Sequence, residues 1–246
     1  MVLAHGFAFT RDARLDAYAQ RFVAAGFAAL VFDYRHFGAS QGQPRQLMTS
    51  VASSRIGGHV AALAASDRRV VVAVSQVPYS GLGGRGRLRP AFLARMTAAA
   101  VRDELRGRLG RTPAFLPLVA EPGSGVFAPF VEEGATAEIR ELFPAGYAWE
   151  NQFTPRVMLR LPRYRPFHSA DQIACPWLVL VCDDDAVTPA DQAAALASRA
   201  PRLELHRFLV GHFEIYRGEW FERAVAVQTE FLRRHLPLSR LASGRP

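Results

Sequence analysis

The stretch "HGFAFTRDARLDAYAQRFVAAGFAALVFDYRHFGAS", residues 5–40, changes its hydrophobic period twice. A short apolar run, residues 2–5, stops at Gly6. Residues 12–25 then place Leu15, Tyr18, Phe22 and Val23 on one side of a helix, with Asp12 as its N-cap and Gly26 as its C-terminal stop. Residues 27–34, "FAALVFDY", are a near-continuous apolar run, as expected of a strand buried on both faces. Residues 35–46 are loop by composition.

The same alternation continues outward. A short run, "LMTSVA" (47–52), leads through a turn to a predicted helix over 56–66 and a buried strand over 69–78. Strand, helix, strand, helix, strand implies a parallel sheet covered on both faces. Residues 79–165 lose the alternation. They hold many of the prolines and two helical patches, 90–109 and 132–142, and read as an inserted, largely helical cap. Alternation resumes with a buried strand over 176–182, a helix in "TPADQAAALASRA" (188–200), a strand in "LELHRFLV" (203–210) and an amphipathic helix over 218–235. The expected division is a first half-core over 1–78, a cap over 79–165, a second half-core over 166–238 and a tail over 239–246.

Composition bounds the function classes. The chain has 246 residues, 50% hydrophobic and 21% charged, an ordinary globular balance. No apolar run approaches the roughly 20 residues that span a bilayer. No basic segment precedes an apolar one at the start, so a cytoplasmic location and no membrane partner are expected. The net charge of +8 comes entirely from Arg, since Lys is absent. These Arg residues are spread along the chain, and the densest cluster, "GLGGRGRLRP" (81–90), reads as a solvated loop, so no nucleic-acid partner is expected. Cys175 and Cys182 lie in one apolar stretch, where strand geometry forbids a disulfide; both read as buried thiols.

Four motifs fall at the carboxyl ends of predicted strands, where open parallel sheets place their sites. They are "HGF" (5–7), "ASSRIGGH" (52–59), "CDDDAVTP" (182–189) and "GHFEIY" (211–216). Together they resemble the α/β-hydrolase superfamily over nearly the whole chain. "FDYRHFGAS" and "VGHFEIY" are the most specific pieces, and they are close to the bacterial branch related to dienelactone hydrolases and acyl-peptide or X-prolyl peptidases.

The resemblance implies a mostly parallel sheet with helices on both faces and a serine, acid, histidine order. Carried over, it makes Ser54 the nucleophile, Asp185 the acid and His212 the base. The backbone N–H groups of Phe7 and Arg55 become the oxyanion donors. The chemistry requires these types, because a serine hydroxyl attacks only when an imidazole takes its proton and a carboxylate orients that imidazole. Ser50 and Ser53 compete with Ser54, but only Ser54 stands in the family's register before the glycine pair. His5 and His59 are expected to be structural. No cofactor and no metal are expected, because no His or Glu near Asp183, Asp184 and Asp185 has ligand spacing.

The chain departs from the family in three places. It begins almost on the "HGF" strand, where relatives carry two further strands. The segment between "FGASQGQPRQ" and the serine turn is too short for the helix and strand that relatives have there. The turn itself reads Ala52-Ser53-Ser54-Arg55-Ile56, with a β-branched residue where a small one belongs. Two functions are therefore expected in competition. One is a serine hydrolase of carboxylic esters or thioesters, its small hydrophobic substrate held by cap residues such as Phe115, Leu116, Phe127, Phe130, Trp149 and Phe153. The other is a catalytically silent member of the fold that binds a ligand or partner. A sheet face left uncovered would favour a homodimer.

Overall fold

The computed structural model describes residues 1–41, 57–80, 89–185 and 187–236. All paired strands among them run parallel. β1 (Val2–Ala4) pairs with β2 (Leu30–Phe32), with α1 (Leu15–Ala24) between them in sequence. After α2 (Gly57–Ser66), β3 (Ala73–Gln76) pairs with a distant strand. α3 (Pro90–Arg108), the short pair β4 (Val119–Ala120) and β5 (Phe130–Val131), and α4 (Ala135–Glu141) follow. β6 (Trp177–Cys182), α5 (Ala190–Ala197), β7 (Leu203–Phe208) and α6 (Gly218–His235) complete the order. β6 sits between β3 and β7, with Ser75 beside Val179 and Val179 beside Leu205.

β6 shows why the sheet is wrapped twice. Its sequence, "WLVLVC", has no polar face, and every one of its residues is buried. Successive side chains on a strand point to opposite faces. Trp177, Val179 and Val181 therefore pack with Ala61 and Ala64 of α2 and Ala190, Ala193 and Ala197 of α5. Leu178, Leu180 and Cys182 pack with Ala224 and Phe231 of α6 on the other side. The small side chains of α2 and α5 let those helices lie close to the sheet. Buried Trp177 satisfies its indole N–H by donating to Ser75 Oγ at 3.0 Å. On the α6 side, Tyr18 of α1 and Gln228 of α6 both bond to Gln76 of β3, at 2.9 and 2.7 Å. Cys175 and Cys182 are free and buried, and burial pushes both thiols up.

Three local expectations need correction. β2 spans only residues 30–32 and is not buried on both faces, because Leu30 is 60% exposed. The residues before it are taken by the helix stop, in which Gly26 has φ 94° and Phe27 N–H donates to Phe22 O at 3.0 Å. β3 begins at Ala73 rather than Arg69, because Asp67 folds 67–70 into a turn by accepting from the Arg69 N–H at 2.9 Å. Asp12 does not cap α1. The chain enters that helix through Arg14, in the left-handed region with φ 66°, and Asp12 accepts from the Thr10 hydroxyl instead.

Residues 90–159 form a layer that packs over the loops at the strand ends. Met96, Leu118, Val119, Ile139 and Phe153 share one core with Ala8, Phe37 and Phe213, which lie in the loops after β1, β2 and β7. A buried ion pair holds the long helix of this layer. Asp103 of α3 is fully buried and accepts from Arg156 Nε at 2.6 Å and Nη2 at 2.7 Å, and from the backbone N–H of Ala114 and Arg156. Gly107 lies in the last turn of α3. A Cβ there would stand 2.2 Å from Arg156 Nη1, so the guanidinium occupies that space. Among the described residues no helix is long and apolar enough to cross a membrane.

Burial opposes ionisation of Asp103, but the bonds from Arg156 and Ala114 outweigh it and hold the carboxyl below its ordinary range. The pair therefore stabilises the fold above that ordinary range and loses its contribution as pH falls through the lowered value. Asp103→Asn leaves Arg156 buried without a counter-charge. The expected cost is about 3–5 kcal/mol, read as a melting-temperature loss of roughly 10 °C at neutral pH that narrows in acid.

Candidate active site

The loop after β6 is stitched to the end of β7. Asp183 N–H donates to Phe208 O at 2.8 Å and Asp184 N–H to Val210 O at 3.2 Å. This sets Asp185 opposite His212, and His212 Nδ1 lies 2.7 Å from Asp185 Oδ2. The carboxylate is otherwise saturated. Oδ1 accepts from the N–H groups of Val187 at 2.7 Å and Thr188 at 2.6 Å, and Oδ2 also accepts from Thr188 Oγ1 at 2.7 Å. Burial opposes the charge most strongly. The His212 charge and these hydrogen bonds prevail and keep the carboxyl below its ordinary range. An ionised Asp185 requires the proton on Nδ1 of a neutral His212, which leaves Nε2 as the basic nitrogen.

His212 is fixed from both sides. Gly211 N–H donates to Glu214 Oε2 at 2.7 Å, closing a tight turn around the histidine. The Phe213 ring meets the imidazole edge to face at 4.8 Å and anchors the turn in the core it shares with residues of the 90–159 layer. Asp183 and Asp184 take no part. Asp183 pairs with Arg207, and Asp184 is exposed.

The loops after β1 and β2 brace each other. His5 is buried, its Nε2 accepts from Tyr34 N–H at 3.1 Å and its Nδ1 donates to Gly6 O at 3.0 Å, so it ties the two strand ends together. Asp33 organises "FDYRHFGAS". It accepts from Arg11 N–H at 2.7 Å and Ala39 N–H at 3.0 Å, while Ser40 Oγ donates to its carbonyl at 2.6 Å. Phe7 follows directly after His5 and Gly6, and its ring packs on Phe153 of the 90–159 layer at 5.8 Å. Leu116, Phe127, Phe130 and Trp149 pack against the same core, and Phe115 is 37% exposed. His59 in α2 touches Tyr34 edge to face, and burial pushes its pKa down.

Of the expected site residues, Asp185 and His212 come together and Phe7 lies at the end of β1. Ser54 and Arg55 lie outside the described residues, as do Ala52, Ile56 and the segment before the turn. The described chain resumes in α2, where a Cβ on Gly58 would stand 2.5 Å from the Tyr79 carbonyl. That close approach gives the second glycine of "GGH" a packing reason of its own. Two groups escaped the sequence reading. Thr188, three residues after Asp185, supplies two of its donors, a spacing typical of local side-chain turns that could have been noticed. Glu132 is half-buried in the 90–159 layer and feels the charges of Asp185 and His212, which no local motif announces.

No protein-family model matches the chain. Over 268 aligned residues it is 37% identical to the quorum-quenching protein AidA of Acinetobacter baumannii, with 97% of this chain and 87% of AidA covered. The chain belongs to the AidA family. Solved structures place this AidA-family chain in the α/β-hydrolase fold. The α/β hydrolase GrgF from Penicillium sp. sh18 superposes with a TM-score of 0.78 at 22% identity, covering 96% of this chain and 89% of GrgF. The monoacylglycerol lipase of Paleococcus ferrophilus superposes with a TM-score of 0.67 at 18% identity, covering 95% and 93%.

Gly38 tests the brace. It has φ +50°, and a Cβ there would stand 2.2 Å from Asp33 Oδ2. Gly38→Ala is expected to cost at least about 1–2 kcal/mol through backbone strain alone, seen as a lower melting temperature.

Proposed function

We propose that this AidA-family protein is a serine hydrolase of carboxylic esters or thioesters. The single observation that carries the reading is the bond between His212 Nδ1 and a saturated, ionised Asp185 at the carboxyl ends of two adjacent parallel strands. A buried carboxylate that orients one imidazole is what a serine nucleophile needs behind it.

In the proposed reaction, His212 Nε2 takes the proton of Ser54 Oγ as that oxygen attacks the acyl carbon. The carbonyl oxygen becomes an oxyanion that accepts from the N–H groups of Phe7 and Arg55. The tetrahedral species collapses by breaking the bond to the alcohol or thiol, which takes its proton from the imidazolium. Water then repeats the sequence on the acyl-enzyme. His212 takes one of its protons, the hydroxyl adds to the carbonyl, and release of the acid returns that proton to Ser54. Asp185 steadies the imidazolium in both halves.

The apolar rings between the cap layer and Phe7 favour a small hydrophobic acyl group. The quorum-quenching character of AidA brings in diffusible signal molecules that carry an ester, cyclic esters included, as candidate substrates. "FDYRHFGAS" and "VGHFEIY" support a place beside the dienelactone-hydrolase and acyl-peptide or X-prolyl-peptidase branch. The turn sequence Ser53-Ser54-Arg55-Ile56 keeps the catalytically silent alternative in the test.

The test is turnover of p-nitrophenyl acetate and butyrate by the purified protein beside Ser54→Ala, His212→Ala and Asp185→Asn. Each variant is expected to lose about 10³-fold or more in kcat, with Asp185→Asn acting through the wrong imidazole tautomer. Folded wild-type protein that turns over neither ester above its variants would establish the silent alternative.

A further inference from the structure

We propose that Gln76, the last residue of β3, is a positioning residue that holds the turn carrying His212 in register with Asp185, acting through Tyr18 and Gln228. Its kinetic consequence rests on the hydrolase reading above; its effect on the imidazole does not.

Two helices meet at this one amide. Gln76 Nε2 donates to Tyr18 Oη of α1 at 2.9 Å, and Gln76 Oε1 accepts from Gln228 Nε2 of α6 at 2.7 Å. Tyr18 and Gln228 are both buried. The surroundings on this face of the sheet are apolar, with Val74, Leu178, Leu180, Ala224 and Phe231 packed together. A polar group buried there costs stability unless its bonds are made, so the three side chains admit few arrangements of α1 and α6 against β3. Apolar side chains of similar size would cover the sheet without fixing that arrangement.

Both partners of Gln76 lead to the histidine. The Tyr18 ring meets Tyr216 edge to face at 6.3 Å. Tyr216 closes the turn that starts at Gly211. Its N–H donates to Phe213 O at 3.3 Å, while Gly211 N–H donates to Glu214 Oε2 at 2.7 Å. Gln228 belongs to α6, which begins at Gly218, directly beyond that turn. The other end of the turn is tied to the loop after β6 by the Asp184 N–H on Val210 O. His212 therefore rides on a short span held at both ends. Gln76 is paired with Leu180 of β6, and Asp185 lies in the loop that follows β6. One strand pair thus serves as the common reference for the acid and for the downstream end of the histidine turn. A 2.7 Å bond between Asp185 Oδ2 and His212 Nδ1 tolerates little displacement, and misplacing a reacting group by about 1 Å can cost about 100-fold in rate.

The test reads the His212 tautomer in nitrogen-15 imidazole spectra of the full chain, beside kcat and KM for p-nitrophenyl butyrate, well below the melting temperature of every variant. Wild type is expected to carry its proton on Nδ1. Gln76→Leu keeps the bulk but no bonding group. It should mix the Nδ1–H and Nε2–H tautomers and lower kcat about 10-fold or more, with KM changed less than about 2-fold. Gln76→Glu, which can still accept from Tyr18 Oη and Gln228 Nε2, should recover part of both. Tyr18→Phe, which keeps the ring, should shift both less than Gln76→Leu does, and it decides the matter if Gln76→Leu fails to fold. Asp103→Asn, destabilised in the 90–159 layer, is the control and should keep the wild-type tautomer. A Gln76→Leu protein with wild-type tautomer and kcat overturns the proposal. So does an Asp103→Asn protein that mixes the tautomers equally, because the effect then follows stability, and so does a wild type without the Nδ1 proton. A folded wild type that cleaves no ester removes the hydrolase reading, and the tautomers of the variants still decide this one.

Discussion

A strand with no polar side must be covered twice, and the rest of this molecule follows from that constraint on β6. Six buried residues alternate between two faces. One face requires α2 and α5, the other α6, and α1 joins α6 through the Tyr18–Gln76–Gln228 contacts. Helices on both faces leave the strand ends as the accessible part of the sheet. Parallel strands put their carboxyl ends on one side, so the loops carrying Asp185 and His212 meet there without being neighbours in sequence, and the Phe9–Phe213 contact brings the loop after β1 against them.

The described parts of these loops are each held by a buried polar group with its bonds made. Asp33 gathers the loops after β1 and β2, and Asp185 gathers the turn after β6 and the histidine after β7. Asp103 does the same for the 90–159 layer by tying α3 to Arg156. All three carboxylates accept at least two hydrogen bonds, which is what makes a buried charge tolerable.

Much of the fold was legible in the sequence. The amphipathic pattern over 218–235 coincides with α6, and the apolar run over 176–182 coincides with β6 to within a residue. The "CDDDAVTP" and "GHFEIY" motifs named the two residues that the fold brings into contact. Strand lengths were less legible. Apolar runs before β2 and β3 look like strand, but a glycine in the left-handed region and an aspartate turn claim their first residues. Asp12 has the right residue type for a cap, yet the loop after β1 is drawn to Asp33 by the Arg11 N–H, and the helix cap falls two residues later, at Arg14. In each case a single local hydrogen bond outweighed a pattern that counts only apolar periodicity.

What the sequence determined by itself was therefore the order of strands and helices and the two motifs whose Asp185 and His212 the fold brings into contact, because periodicity and short motifs are local properties. Only the tertiary structure decided that Asp103 and Arg156 form one buried pair, that Gly107 is glycine to admit a guanidinium, and that Glu132 shares the electrostatics of His212. Those facts join residues 49 to 80 positions apart, counted from 107 to 156 and from 132 to 212. Partners at such separations leave no mark on local periodicity, since what selects them is the space and charge left when the helices close over the sheet.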